Sequence, residues 1–154
     1  MAWIGADKKR FAQLMHLFFD SEYRIVQRAA WPISYCARSH PELIKPYFSQ
    51  LLVKLKRPDV HDAVRRNTVR LLQDVDIPRR YHGQIMETCF GFIQSLDTAG
   101  AIKAFSLSIL SNLAKSYPGI IPELQLIIRD RWDYEKAAFR SRAKKILQLK
   151  STRS

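Results

Sequence analysis

The sequence predicts an all-α chain, a right-handed α–α superhelix of about four stacked helix pairs, and three observations carry that expectation. Apolar residues recur at helical spacing: Phe11, Leu14, Met15, Phe18 and Leu43, Tyr47, Leu51, Leu52, Leu55 each keep the 3-and-4 rhythm of a helix buried along one stripe. The period-two alternation of a half-buried strand is missing, and 5 glycines are too few for a chain full of tight β-turns. The third observation is self-similarity at a period near forty residues, which marks stacked repeats.

Breaks between helices fall at His40-Pro41, Lys56-Arg57-Pro58, Ile77-Pro78, Leu96-Asp97-Thr98 and Tyr117-Pro118. Each supplies a turn residue, or a proline that starts a helix from its first turn, where the missing N–H is not needed. They divide the chain, expected to be a single domain over residues 1–154, into repeats at about 7–39, 41–76, 78–116 and 118–149. The polar tail 150–154 is expected to fray.

The repeat is clearest around Val64-Arg65, which is followed by Leu71-Leu72. Val26-Gln27 lies 38 residues earlier, Ile102-Lys103 lies 38 later, and Phe139-Arg140 another 37 beyond. A small residue follows each time, Ala30, Thr68, Ser106 and Ala143, where one helix must approach another closely. Pro41, Pro78 and Pro118 each open the first helix of a pair. Before the second helix stand Ser21, Asp59, Asp97 and Asp133. An Asp there is expected to cap the following helix, or to accept hydrogen bonds from the Arg or Lys of a neighbouring repeat as a ladder. The pattern resembles the HEAT repeat, with its closest match at Pro58-Asp59, Val64-Arg65 and Leu71-Leu72; Gln27, Lys103 and the shifted Asp133 depart from it. The resemblance covers roughly residues 7–148. It implies stacked antiparallel helix pairs and brings no catalytic residue. No pair buries its apolar face alone, so stacking makes the core continuous.

Enzyme signals are poor. The histidines, His16, His40, His61 and His82, lack zinc-helix spacing and do not pair with Cys36 or Cys89. Those two cysteines sit in apolar helical patterns and read as buried thiols of a reducing compartment, the cytoplasm. Asp20 with Glu22, and Asp74 with Asp76, suit helix ends better than acid–base work. No Gly-rich phosphate loop or G-x-S-x-G elbow is present, and no catalytic, cofactor-binding or metal-ligating residue is assigned. Apolar runs break well before the roughly 20 residues of a membrane span. HEAT-like alkylpurine DNA glycosylases, with basic concave faces, tryptophans and an Asp, are a remote alternative. Trp3 with Asp7, and Trp132 beside Asp133, are their nearest echoes here.

The functional expectation rests on charge. A net +12 favours polyanions as partners and says nothing about fold. In HEAT-like stacks the second helices line the concave face. Over 59–75 the core takes Val60, Val64, Thr68, Leu71, Leu72 and Val75, leaving Asp62, Arg66 and Arg70 on the opposite stripe. The same register gives Arg24 and Arg28, then Ala104 and Ser108, then Ser141 and Lys145, beside Arg142 and Lys144. The candidate partner-binding residues are therefore Arg24, Arg28, Arg66, Arg70, Arg142, Lys144 and Lys145. The expected ligand is an acidic protein or peptide; the alternatives are nucleic acid on the same face and a merely solvated basic surface. Trp31-Pro32 interrupts the second helix, and the preferred expectation is a bend that lets Trp31 fill the core near the second repeat, the other reading being a bend that exposes Trp31. With Trp31 the one aromatic candidate on the stripe, base stacking has little support, which favours protein.

Overall fold

The computed structural model describes residues 7–20, 23–57 and 59–150. Trp3, Ser21, Glu22, Pro58 and residues 151–154, all used in the sequence reading, lie outside the described residues. Among the described residues the chain is all-α, with eight helices and no strand. In order these are α1 Lys8–Asp20, α2 Tyr23–Ser39, α3 Phe48–Lys56, α4 Asp62–Leu72, α5 His82–Gln94, α6 Gly100–Ala114, α7 Ile121–Arg131 and α8 Ala137–Leu147. They gather into two compact units, Met1–His82 and Gly83–Ser154.

The repeated prolines act where the sequence places them, though through 3₁₀ turns. Pro41 and Pro118 begin the turns Pro41–Leu43 and Pro118–Ile120, and Pro78 immediately precedes Arg79–Tyr81. A proline at the start of such a turn surrenders an N–H that has no partner there, and its fixed φ favours the helical direction. The start of α3 shifts to Phe48 because a second turn, Lys45–Tyr47, carries Pro46.

In the first unit α1 packs on α2, α2 on α4 and α3 on α4. Phe11, Met15 and Phe18 of α1 meet a core that also holds Val26 and Ile33 of α2, Leu51 and Leu55 of α3, and Leu71 and Leu72 of α4. Of the core stripe expected on 59–75, Val64, Thr68, Leu71 and Leu72 are buried, while Val60 and Val75 at its ends are half-buried. Asp7 caps α1, its Oδ1 accepting from the backbone N–H of Lys9 at 2.9 Å and of Arg10 at 3.2 Å.

In the second unit α8 packs on both α6 and α7. The buried Cys89 of α5 meets the Ser106 hydroxyl of α6, and burial pushes its thiol up to about 12, outweighing that hydrogen bond. Gln125 of α7 donates to the carbonyls of Ile146 at 3.0 Å and Leu149 at 2.7 Å, satisfying backbone groups that the end of α8 leaves open. All four small repeat positions, Ala30, Thr68, Ser106 and Ala143, are buried. Thr68 and Ser106 return their hydroxyls to the carbonyls of Val64 and Ile102, at 2.6 and 2.7 Å, so neither leaves a polar atom unsatisfied.

The expected Asp ladder is corrected. The first turn of α4 is capped by His61, whose Nδ1 accepts from Ala63 N at 3.0 Å, while α6 and α8 have no side-chain cap. Asp59 pairs with Arg57 instead, and that hydrogen bond holds its carboxyl below the usual range. The repeated basic residues serve other acceptors. Arg65 donates to the carbonyls of Leu55 and Arg57 at the end of α3, and Arg140 to the carbonyl of Trp132 just after α7 at 2.9 Å. The last carbonyls of a helix lack intrahelical donors, and a guanidinium fork supplies them. Lys103 has a single ammonium, and it takes Glu135, two residues beyond Asp133, at 2.7 Å.

Candidate partner-binding face

The exposed side of the first unit's second helices follows from their cores. On α2, the buried residues Val26, Ala29, Ala30, Ile33, Cys36 and Ala37 occupy one side. At about 100° per residue, the positions directly opposite are 24, 28, 31, 35 and 38. Arg24, Arg28, Trp31, Tyr35 and Arg38 stand there, all exposed, within an arc of about 80°. Against the preferred expectation, Trp31 does not fill the core: it is 56% exposed, and its indole stacks on the Tyr35 ring, centroids 6.0 Å apart and planes 17° from parallel. The physical reason is register, since position 31 lies one turn beyond Arg28 on the same face, and α2 continues through Pro32 to Ser39.

On α4, Arg70 is exposed, Arg66 half-buried, and Asp62 exposed at the helix start. Since α2 and α4 pack together, the arginines of both helices belong to one unit. Every basic residue on these two helices is arginine: Arg24, Arg28 and Arg38 on α2, then Arg65, Arg66 and Arg70 on α4. Arg65 is turned inward to the α3 carbonyls; the other five lie on the exposed stripes. An arginine fork grips planar oxyanions with two parallel bonds, where lysine offers only a point charge.

In the second unit, Lys144, Lys145 and Ser141 are exposed on α8. Arg142 is engaged within the unit: its Nε donates to Ser108 Oγ at 2.9 Å, Nη1 reaches the Ala138 carbonyl at 3.3 Å, and the guanidinium lies 5.2 Å over Phe105. Ala104, expected on the open stripe, is 1% exposed. Ile102, Ala104, Leu107, Ile109, Leu110 and Leu113 cover about 220° of α6 and leave its open arc to Ala101, Phe105, Ser108 and Asn112, so Ala104 falls inside the core.

Tyr35 and Arg38 were absent from the sequence-derived site. Their signal was present, because extending Arg24, Arg28 and Trp31 by four and then three residues reaches both. A register taken from the shorter α4 ends too early for α2, which runs for 17 residues.

The histidines serve local roles. His82 Nε2 lies 2.8 Å from the Ile77 carbonyl, and His61 caps α4. Among the described residues no three His, Cys, Asp or Glu side chains group as metal ligands would, and no helix is long and apolar enough to cross a membrane.

A family model for the HEAT repeat domain matches residues 1–150. The chain belongs to the HEAT repeat family. HEAT repeats generally act as non-catalytic scaffolds for protein interaction. No curated protein and no solved structure matches the chain.

Proposed function

We propose that this HEAT-repeat chain is a non-catalytic interaction module that holds an acidic protein segment on the exposed face of α2 and α4. The observation that carries the reading is a stripe whose basic residues are all arginine: Arg24, Arg28, Arg66 and Arg70, extended by Arg38. Carboxylates match arginine forks, and a net charge of +12 draws acidic partners in by long-range attraction. Lys144 and Lys145 add positive charge on α8, and Arg142 reinforces it from a fixed position. The two unpaired buried thiols, Cys36 and Cys89, fit residence in the cytoplasm.

A second reading, nucleic acid on the same face, is favoured by one observation, the exposed Trp31–Tyr35 pair beside the arginines. Salt dependence separates the two. A labelled glutamate-rich peptide and a random-sequence DNA duplex are each titrated from 50 to 200 mM salt against the protein and its Arg66→Glu, Arg70→Glu variant. The peptide is expected to bind more tightly than the duplex and to lose affinity in the variant. Tight duplex binding, with log affinity falling by about 0.9 per log unit of salt for each phosphate contact and flattening in the variant, would put nucleic acid first.

A further inference from the structure

We infer that the Trp31–Tyr35 pair is an apolar subsite in the middle of the basic stripe, and that the ligand of this face is an extended acidic peptide carrying one aromatic residue between its carboxylates. The inference rests on the acidic-partner reading and adds the side chain that fixes the peptide's register.

Two large aromatic rings are left in water, 56% and 44% exposed, on the side of α2 opposite its core. They brace each other in a near-parallel stack, so the pair offers a preformed platform. Arg24 and Arg28 precede it along the helix and Arg38 follows it. From position 24 to 38 the stripe is about 21 Å long at 1.5 Å per residue. An extended peptide of about seven residues covers that distance at about 3.3 Å each. Carboxylates at its ends then meet arginines while a central side chain lands on the rings. Aromatic and arginine side chains concentrate binding energy at protein interfaces, especially with an apolar centre and charged surroundings.

The charges and ring geometry argue against the other occupants. A second copy of this chain would bring arginines against arginines. A single-stranded nucleic acid stacks successive bases on separate ring faces. Here the two rings each give one face to the other, which leaves one open face per ring.

The test uses the full chain and three labelled probes, read by fluorescence anisotropy. These are a seven-residue glutamate peptide with tryptophan at its centre, the same peptide with alanine there, and an oligothymidylate of about fifteen nucleotides. The protein variants are Trp31→Ala with Tyr35→Ala, and Arg28→Glu with Arg38→Glu. All four changes are on exposed positions, and unchanged helical circular dichroism and melting temperature establish folding. The tryptophan peptide is expected to bind about tenfold more tightly than the alanine peptide, the equivalent of about 1.4 kcal/mol. The aromatic double variant should erase that difference, and the arginine double variant should weaken both peptides. Equal binding of the two peptides overturns the aromatic subsite and leaves the acidic-partner reading standing. No binding of either peptide overturns both. Oligothymidylate bound more tightly than either peptide, and lost with Trp31 and Tyr35, overturns the proposal in favour of nucleic acid.

Discussion

Lys103 is 2% exposed, and an ammonium so deep in a protein survives only with a partner. Glu135 Oε2 supplies it at 2.7 Å, and Arg131 closes on the same oxygen, Nη2 at 2.8 Å. Burial pushes the Glu135 carboxyl up, but the hydrogen bonds from Lys103 and Arg131 outweigh it and hold it below the usual range. Glu135→Ala strands the Lys103 charge and is expected to cost about 3–5 kcal/mol in urea unfolding. Lys103→Met is expected to cost less, because Arg131 still pairs with Glu135. The depressed carboxyl also sets a pH dependence. Its contribution is complete above the unfolded value of about 4.3 and fades as pH falls through the lower folded value. Acid titrations of stability should therefore lose part of their slope in Glu135→Gln, and an unchanged slope would remove Glu135 from the acid limb. Repeat spacing points to Asp133 as the acid that caps the last helix or meets a basic residue of the neighbouring repeat. Asp133 is exposed, and the buried acid is two residues on, in the extended backbone that precedes α8. Spacing identifies a turn, whereas burial within it depends on packing that spacing does not encode.

Each helix of the first unit shows its two sides in its periodicity. Leu72, 1% exposed, fills the core from α4, and Leu72→Ala is expected to cost about 2–5 kcal/mol, whereas Lys150→Ala should stay within about 0.5 kcal/mol of neutral. Equal effects in denaturant unfolding would contradict the assignment of core and surface. Pro32 sits inside α2, where it deprives the helix of one hydrogen bond and its ring presses on the Arg28 carbonyl. Pro32→Ala is expected to raise stability, by at most about 3 kcal/mol, and a lowered denaturation midpoint would show that the proline fits its helix better than alanine does. Helix pairs, proline starts and small close-approach positions were all legible, because local sterics and one-sided burial write them directly into residue spacing. The fate of Trp31 was not. An aromatic next to a proline reads as core until the arginines three and seven positions away show which face it shares.

At the scale of the molecule, the HEAT family model spans residues 1–150 and two compact units carry the eight helices. A net charge of +12 is spread over both units, so it identifies no face by itself. What distinguishes α2 and α4 is the row of arginines along their open stripes with the exposed aromatic pair among them, features visible in the sequence only after each helix is given its register. The central claim is that an acidic partner lies on these two helices. Its most direct test is nuclear magnetic resonance of the arginine Nε–Hε groups during titration with the glutamate peptide bearing a central tryptophan. The signals of Arg24, Arg28, Arg38, Arg66 and Arg70 should shift together and saturate at one stoichiometry, with those of Arg65 and Arg140, held on backbone carbonyls, unmoved. Shifts confined to Arg129, Arg131 and Arg142, with the α2 and α4 arginines still, would contradict it.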